Sequence, residues 1–157
     1  MAFMNSINII GSGLTAQQLR LDIVSENVTN AQTTRTENGD GAYRRKMVVF
    51  EAVSGRDSFR DAMAKAANGL IANTATGASP NAGGVRVTQI VEDESPMKIV
   101  YDPTHPDANE EGYLEMPNVD MVKEIADAMA ASRAYASNVT AFNTLKSVIS
   151  SGLEIGR

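Results

Sequence analysis

Apolar residues recur at alternating steps of three and four in two stretches, one near each end of the chain. The first stretch covers residues 3–31, and the second begins at Pro117-Asn118. This spacing predicts two long helices, each with a narrow apolar stripe that suits a partner helix better than a globular core. The N-terminal stripe contains Phe3, Ile7, Ile10, Leu14, Gln17, Leu21, Val24 and Val28. The C-terminal stripe contains Met121, Ile125, Ala128, Ser132, Tyr135, Val139, Phe142, Lys146, Ile149 and Leu153.

Residues that interrupt or end the first stripe carry predictions of their own. Gly11-Ser12-Gly13 predicts a weak point in the helix, and the capping-box pattern of residues 15–18 predicts that the regular helix restarts there. Asn27 and Asn30 open the polar segment that ends the helix. Either they fix the register of a helix interface through hydrogen bonds or they cap the helix end. The sequence leaves both interpretations open.

Between the helices the pattern changes to short runs that are typical of strands. Residues 47–50 predict one short strand, and residues 85–91 and 97–101 predict two more. Because only residues 92–96 separate the last two, we expect them to form a hairpin with a five-residue loop. Residues 112–116 predict a third short strand in this half of the chain.

These elements together predict an α+β fold. Its long terminal helices pack as a coiled-coil-like pair, and a small middle domain contains a β-hairpin. We expect an N-terminal axial helix in residues 1–34, a middle region in 35–117 and a C-terminal axial helix in 118–157. Residues 62–84 are rich in Ala, Asn, Gly, Ser and Thr, which predicts a flexible loop.

The two stripes predict the surface through which subunits meet. Two helices alone bury too little apolar surface to offset the conformational entropy of ordering them, so we expect the ends to fold against neighbouring subunits. Arg133 and Tyr135 either anchor a neighbour or are a solvent-facing Arg beside a stripe Tyr. The expected interface set is Ile7, Ile10, Leu14, Leu21, Val24, Asn27, Val28, Asn30, Met121, Ile125, Arg133, Tyr135, Val139, Phe142, Ile149 and Leu153.

Composition narrows the possible functions. The chain has 157 residues, no cysteine and a formal net charge of −5. Disulfides and thiolate metal sites are therefore excluded, and nonspecific binding of nucleic acid is not expected. No apolar run approaches the roughly 18 residues of a membrane-spanning helix. The N-terminus lacks the basic start and apolar stretch of a cleaved signal peptide, so we expect a cytoplasmic protein or export without cleavage.

Candidate chemistry is sparse. His105 is the only histidine, and Asp102, Asp107, Glu110 and Glu111 are its nearest acidic residues in sequence. A single His in an acidic, proline-flanked loop is far more often structural than catalytic. We therefore expect no catalytic residue, no metal, no cofactor and no small-molecule substrate.

Charge is unevenly distributed along the chain. Residues 92–115 carry eight carboxylates against Lys98 alone, whereas residues 44–46 are Arg-Arg-Lys. Either the acidic segment of one copy faces this basic triplet on a neighbour and sets its orientation, or both are solvated faces.

Several segments resemble the bacterial flagellar rod and hook proteins. Residues 12–17 (SGLTAQ) and 25–34 (SENVTNAQTT) are similar to the N-terminal signature of that family, and residues 43–46 (YRRK) extend the likeness. Thr29 and Gln32 depart from it, since the family more often has Ala and Asn or a small residue there. The segments that resemble its proximal-rod members in particular are residues 84–87 (GVRV), 101–108 (YDPTHPDA), 112–119 (GYLEMPNV) and 131–135 (ASRAY).

The resemblance implies a structural subunit of the proximal rod, the drive shaft that crosses the periplasm in the flagellar basal body and transmits torque to the hook. It implies that the terminal helices form the inner wall of a tube, and that the chain leaves through the type III export gate without signal cleavage. The implied partners are further copies of itself, other proximal-rod subunits, the distal-rod protein and the export-gate or ring-junction proteins. The alternatives are another axial rod subunit or a soluble helical binding module.

Overall fold

The computed structural model describes residues 2–36, 41–53 and 83–155. Helix α1 (Ala2–Thr29) opens the chain and helix α2 (Met121–Ile155) closes the described part. Between them lie β1 (Lys46–Ala52), β2 (Val85–Glu92), β3 (Lys98–Tyr101) and β4 (Tyr113–Met116). Two long terminal helices with short antiparallel strands between them confirm the predicted α+β class.

The two helices pack side by side in opposite directions. Asn27, near the end of α1, contacts Glu124 in the first turn of α2, and Arg20 pairs with Asp127. Further along, Gly13 lies so close to Asn138 that a Cβ atom built on Gly13 would be 3.0 Å from the Asn138 Nδ2 atom. Contacts that move backwards along α2 as they move forwards along α1 define an antiparallel pair.

Helix α1 runs through Gly11-Ser12-Gly13 without a break, so the predicted weak point and restart are wrong. The Ser12 hydroxyl donates to the Ile9 carbonyl (2.7 Å), and the Thr15 hydroxyl donates to the Gly11 carbonyl (3.1 Å). Thr15 therefore bonds back into the helix instead of capping a new one. Packing on α2 stabilises this stretch, because the missing side chain of Gly13 leaves room for Asn138.

Helix α2 begins at Met121, three residues after the predicted start at Pro117-Asn118. Asp120 caps it, with its carboxylate accepting a hydrogen bond from the Val122 backbone N–H (3.1 Å). Asn118 is engaged elsewhere, since its side-chain amide donates to the backbone carbonyls of Asp93 and Ser95.

The strands form two antiparallel pairs. Strand β1 pairs with β2, from Lys46 opposite Glu92 to Ala52 opposite Val85, with a bulge at Val49 and Phe50. Strand β3 pairs with β4, from Lys98 opposite Met116 to Tyr101 opposite Tyr113. The short strand predicted for residues 112–116 is confirmed as β4.

The predicted hairpin of residues 85–91 and 97–101 is wrong, because its two strands belong to different pairs. The Asp93 backbone N–H donates to the Arg45 carbonyl (2.7 Å), which extends the β1–β2 pairing beyond the strand ends. Asn118 then holds the linking residues through the carbonyls of Asp93 and Ser95. The hairpin of the middle region is β3–β4 instead. Of the loop predicted for residues 62–84, all but Gly83 and Gly84 lies outside the described residues.

The buried apolar residues gather where α1, the start of β1 and the first turns of α2 meet. Small side chains at the helix contact, Ala16 on α1 and Ala131 on α2, allow the helix axes to approach closely. The remaining buried apolar residues are Ile23, Val24, Ala42, Tyr43, Leu114 and Val119. Most of α2 beyond Ala131 is exposed on at least one side.

Candidate subunit interface

Helix α2 carries two heptad stripes, and only one of them packs on α1. The packing stripe includes Glu124 and Ala131, both completely buried, and Asn138, which contacts Gly13. Further along, Ala141, Leu145 and Val148 line a groove with Ser6 and Ile10 of α1. The packing stripe is displaced by one residue from the apolar stripe read in the sequence, where Ile125, Ser132, Val139 and Lys146 occupy the matching positions.

The predicted C-terminal stripe therefore lies beside the helix contact and is largely open. Ile125 is 54% exposed and Leu153 is 72% exposed. Met121, Arg133 and Phe142 are also exposed, whereas Tyr135, Val139 and Ile149 are partly covered. This side of α2 presents a row of apolar side chains that have no covering element among the described residues.

The predicted N-terminal stripe is mostly used inside the chain. Val24 and Asn27 are buried, and the rest of the expected interface residues on α1 are partly covered, namely Ile7, Ile10, Leu14, Leu21, Val28 and Asn30. The exposed large apolar residues of α1 are Met4 and Ile9, which lie outside the predicted stripe. The C-terminal stripe is thus largely exposed to a neighbouring subunit, whereas the N-terminal stripe is mostly covered within the chain.

Asn27 lies at the centre of a buried polar cluster that joins both helices to β1. Its amide nitrogen donates to the Lys46 carbonyl (2.9 Å) and to the Glu124 Oε2 atom (3.0 Å). Its side-chain oxygen accepts from the Tyr43 hydroxyl (3.0 Å) and from the Lys46 backbone N–H (2.9 Å). The side chain therefore uses its full hydrogen-bonding capacity, as a buried amide must to offset desolvation.

Arg45, the residue before β1, contributes a positive charge to the cluster. Its Nε atom donates to the Glu124 Oε1 atom (2.6 Å), and its terminal nitrogens lie 3.3 Å from Asp127 Oδ2 and 3.6 Å from Asp93 Oδ2. Burial lowers the pKa of the Arg45 guanidinium, but the hydrogen bond and charge of Glu124 outweigh burial and raise that pKa. Arg45 therefore remains charged and neutralises the completely buried Glu124 carboxylate.

Tyr43 belongs to the cluster, whereas Asn30 lies beyond it at the end of α1. Burial, together with the charges of Glu26 and Glu124, raises the pKa of Tyr43 well above its ordinary value, so its hydroxyl stays protonated and donates to Asn27. The Asn30 side chain donates to the Glu26 carbonyl (3.0 Å) and accepts from the Thr33 hydroxyl (3.1 Å). Asn30 thus ends the helix, whereas Asn27 makes register-fixing contacts within the chain.

The basic triplet of residues 44–46 is largely engaged within the chain. Arg45 pairs with Asp93, Glu124 and Asp127, and Lys46 pairs with Glu26. Arg44 alone of the three is exposed without an ion pair among the described residues. Asp93 of the acidic segment meets Arg45 of its own chain, so the head-to-tail interpretation leaves Arg44 as the cation of the triplet available to a neighbour.

His105 helps to form the turn between β3 and β4. Its Nδ1 atom accepts a hydrogen bond from the Asp107 backbone N–H (3.1 Å). Hydrogen bonds from the Thr104 hydroxyl and backbone N–H lower the pKa of Asp102 in the same turn. Within residues 2–36, 41–53 and 83–155, acidic and histidine side chains form no group of three that could hold a metal ion. Neither described helix is long and apolar enough to cross a membrane.

Sequence reasoning missed Glu124, Asp127 and the role of Arg45, which hold the cluster together. It also missed Asn118, whose side-chain oxygen accepts a hydrogen bond from the Arg45 backbone N–H (2.8 Å). The available signal was Glu124 itself, a carboxylate spaced seven and fourteen residues from Ala131 and Asn138. A stripe of small and polar residues packs helices closely but does not stand out in a search for large apolar positions.

Two family descriptions match the chain, one at each end. "Flagella basal body rod protein" matches residues 7–35, which include most of α1 and Asn27. "Flagellar basal body rod FlgEFG protein C-terminal" matches residues 110–155, which include β4 and α2. The matched regions are thus the two partners of the antiparallel helix pair.

Several flagellar proteins are similar over essentially the whole chain. Flagellar basal-body rod protein FlgC of Bacillus subtilis (strain 168) is 44% identical, and the alignment covers 100% of both chains. The FlgC protein of Borreliella burgdorferi is 39% identical over 99% of this chain and 98% of its own. That of Salmonella typhimurium (strain LT2) is 36% identical over 100% of both. The chain therefore belongs to the FlgC family of flagellar basal-body rod proteins.

Proposed function

We propose that this chain polymerises with other rod proteins through the open side of α2 to build the proximal part of the flagellar rod. As a family member it is a structural subunit of the flagellar basal body. The observation that carries the proposal is the row of exposed apolar residues on α2, beside the contact that this helix makes with α1. A lone subunit leaves this row in water, and a neighbouring helix would cover it.

The row is large enough to drive assembly. Full burial of a large apolar side chain contributes about 1.5–3 kcal/mol, so covering half-exposed residues yields roughly 1 kcal/mol each. The row consists of the exposed residues Met121, Ile125, Phe142 and Leu153, with the partly covered Val139 and Ile149 between them. Because each subunit can present the same row, small contributions add up along a polymer, where every copy has neighbours on both sides.

A drive shaft must resist twisting, and the Asn27 cluster supports that role. It links α1, α2 and the start of β1 through short, fully satisfied hydrogen bonds. Load applied to the middle region would pass to both helices through these bonds instead of through a loop. In this proposal residues 1–34 and 118–157 are the axial helices that form the inner wall of the tube, and residues 35–117 are the middle region outside it.

The partners and the route of export belong to the same proposal. The partners are further copies, other proximal-rod subunits, the distal-rod protein and the export-gate or ring-junction proteins. Export occurs without signal cleavage, which N-terminal sequencing of the protein from purified basal bodies would test. A soluble helical binding module is the rival, and it would remain monomeric or bind one partner stoichiometrically.

We also propose that the protein is not an enzyme. His105 supports this because its Nδ1 atom is engaged in a turn and its side chain lies in an exposed loop. His105→Ala in cells should leave swimming unchanged apart from any effect of a loosened turn. Loss of motility with normal rods present would argue for a chemical role.

A substitution in the exposed row tests the assembly proposal. Ile125→Asp combined with Phe142→Asp introduces charge at two exposed positions of the row. We expect electron microscopy of isolated basal bodies to show rods missing or truncated, and swimming to be lost. The matched control is Asn143→Asp, also exposed on α2 but outside the row. Normal rods in the double variant, with the helical circular dichroism of both purified variants unchanged, would overturn the proposal.

A further inference from the structure

The β3–β4 hairpin has one covered face and one open face. Antiparallel partners share a face, so Val100 and Leu114 lie together, and Leu114 is buried against the rest of the chain. On the other face Ile99 is 69% exposed and Tyr101 is 64% exposed. Tyr113 joins them, and none of the described elements covers this face.

The aromatic pair on the open face is held in place. The rings of Tyr101 and Tyr113 meet edge to face, with centroids 5.3 Å apart and an interplanar angle of 67°. Gly112, at φ +81°, makes this possible, because a Cβ there would lie 2.9 Å from the Tyr101 ring and 3.2 Å from Pro103. Tyrosines already fixed in position lose little conformational entropy when a partner binds.

Carboxylates surround this apolar face. Glu115 stands opposite Ile99 in the strand register, and Glu111 lines a recess of about 740 Å³ beside Tyr113. Among the residues that the structure describes, Arg35 is the one cation lining that recess. The carboxylates of this segment that form no ion pair among the described residues include Glu94, Asp102, Glu110, Glu111 and Glu115. An apolar centre with a polar rim is the usual composition of a protein interface, and unpaired carboxylates in such a rim favour a basic partner.

We propose that the open face of β3–β4 docks a different protein whose surface presents an apolar side chain flanked by Lys or Arg. The inference rests on the proposed assembly role and adds a second contact, separate from the exposed row of α2. Lysine and arginine would pair with the rim, and a guanidinium can stack on the tyrosine rings. Phosphate-rich surfaces such as membranes and nucleic acids would be repelled by the same carboxylates.

Charge also disfavours a second copy as the occupant. The chain has a net charge of −5, so two copies repel each other overall. Of its exposed cations, Arg86 is paired with Glu51 and Lys123 with Asp120 within the chain. A second copy therefore offers these carboxylates fewer free cations than a basic partner would.

Site-specific crosslinking in cells tests the proposal. The photoreactive residue p-benzoylphenylalanine replaces Tyr101, which keeps an aromatic ring at that position, and Thr88 on the exposed part of β2 is the matched control. We expect irradiation to join position 101, and not position 88, to a protein other than this one. Mass spectrometry should place the crosslink at a residue that adjoins a Lys or Arg of that protein. Glu111→Lys combined with Glu115→Lys should reduce the yield several-fold.

A parallel probe at position 125, in the exposed row of α2, separates this inference from the assembly proposal. Crosslinks from 125 without any from 101 would overturn only the docking inference. So would crosslinks from 101 to a second copy, or a yield unchanged by the two charge reversals. Absence of crosslinks at both positions would overturn the assembly proposal as well.

Discussion

Asn27 on α1 and Glu124 on α2 are joined across the helix pair by a 3.0 Å hydrogen bond between two almost completely buried side chains. Each is also bonded to the segment that leads into β1, Asn27 through Lys46 and Glu124 through Arg45. The register of the two helices and the position of β1 are therefore set by one cluster.

Removing the Asn27 amide should strongly destabilise the fold. Asn27→Ala leaves the Tyr43 hydroxyl, the Lys46 backbone and one Glu124 oxygen without their partner, and each buried unsatisfied group costs about 1–3 kcal/mol. We expect the free energy of unfolding in urea to fall by about 3 kcal/mol or more. Asn30→Ala, which removes only a helix-end contact, should cost about 1 kcal/mol. Equal losses in the two variants would contradict the central role of Asn27.

The Arg45–Glu124 pair should show strong non-additivity. Arg45→Met alone leaves the Glu124 carboxylate buried without its cation, which typically costs about 3–5 kcal/mol. Combining it with Glu124→Leu removes both charges, so the double variant should be more stable than Arg45→Met. Urea unfolding of both single variants and the double variant gives the coupling energy directly. If the double variant were the least stable of the three, the charge-compensation argument would fail.

Gly41 and Gly84 both have positive φ values, so substituting each by Ala separates the cost of backbone strain from the cost of steric crowding. Gly84 has φ +119°, and a Cβ there would lie 2.7 Å from the Ser12 Oγ atom, whereas Gly41 has φ +92° with no neighbouring atom of the described residues within 4 Å of such a Cβ. Gly41→Ala should therefore lose only the strain contribution, about 1 kcal/mol. Gly84→Ala should lose more, because the Ser12 side chain must also move and give up the hydrogen bond that it accepts from the Val85 backbone N–H (3.1 Å). Thermal unfolding of the two variants measures the difference, and equal midpoints would show that Ser12 yields freely.

Asp93 should make stability depend on pH on the acid side. Hydrogen bonds from the Ser95 hydroxyl and backbone N–H, with help from Arg45, lower its pKa in the folded chain. The contribution is therefore present above the ordinary Asp pKa of about 3.9 and is lost as pH falls through the lowered folded value. Ser95→Ala should move the Asp93 pKa back towards normal, as seen by NMR titration of its carboxyl carbon. An unchanged titration curve would mean that Arg45 or the backbone N–H dominates.

Local pattern in the sequence was enough to predict the two helices and several short strands, because apolar spacing is a property of neighbouring residues. It did not predict which strands pair. Residues 85–91 and 97–101 look like a hairpin because only a short loop separates them, yet the backbone N–H of Asp93 bonds to Arg45 and draws β2 to β1. That contact joins residues far apart in the chain, so local pattern could not show it.

The side of α2 that packs on α1 was not predicted from the sequence, for a related reason. Large apolar residues drew attention to the side that contains Ile125 and Phe142, while the contact with α1 uses Glu124, Ala131 and Asn138. Close packing of two helices favours small residues. The buried Glu124 carboxylate is stabilised by Arg45, which lies just before β1. The sequence shows neither the close helix contact nor the Arg45–Glu124 pair, because both depend on how α1, α2 and the start of β1 are placed in the fold.

The end of β1 and the start of β2 lie side by side, which makes the connection between them a suitable place for inserted sequence. The Val53 backbone N–H donates to the Gly84 carbonyl (3.0 Å), so the chain departs from β1 and returns to β2 at adjacent points. Because these two points are held together, residues inserted between them should leave the pairing of Ala52 with Val85 unchanged. An epitope tag or an extra module placed there would leave the strand register undisturbed.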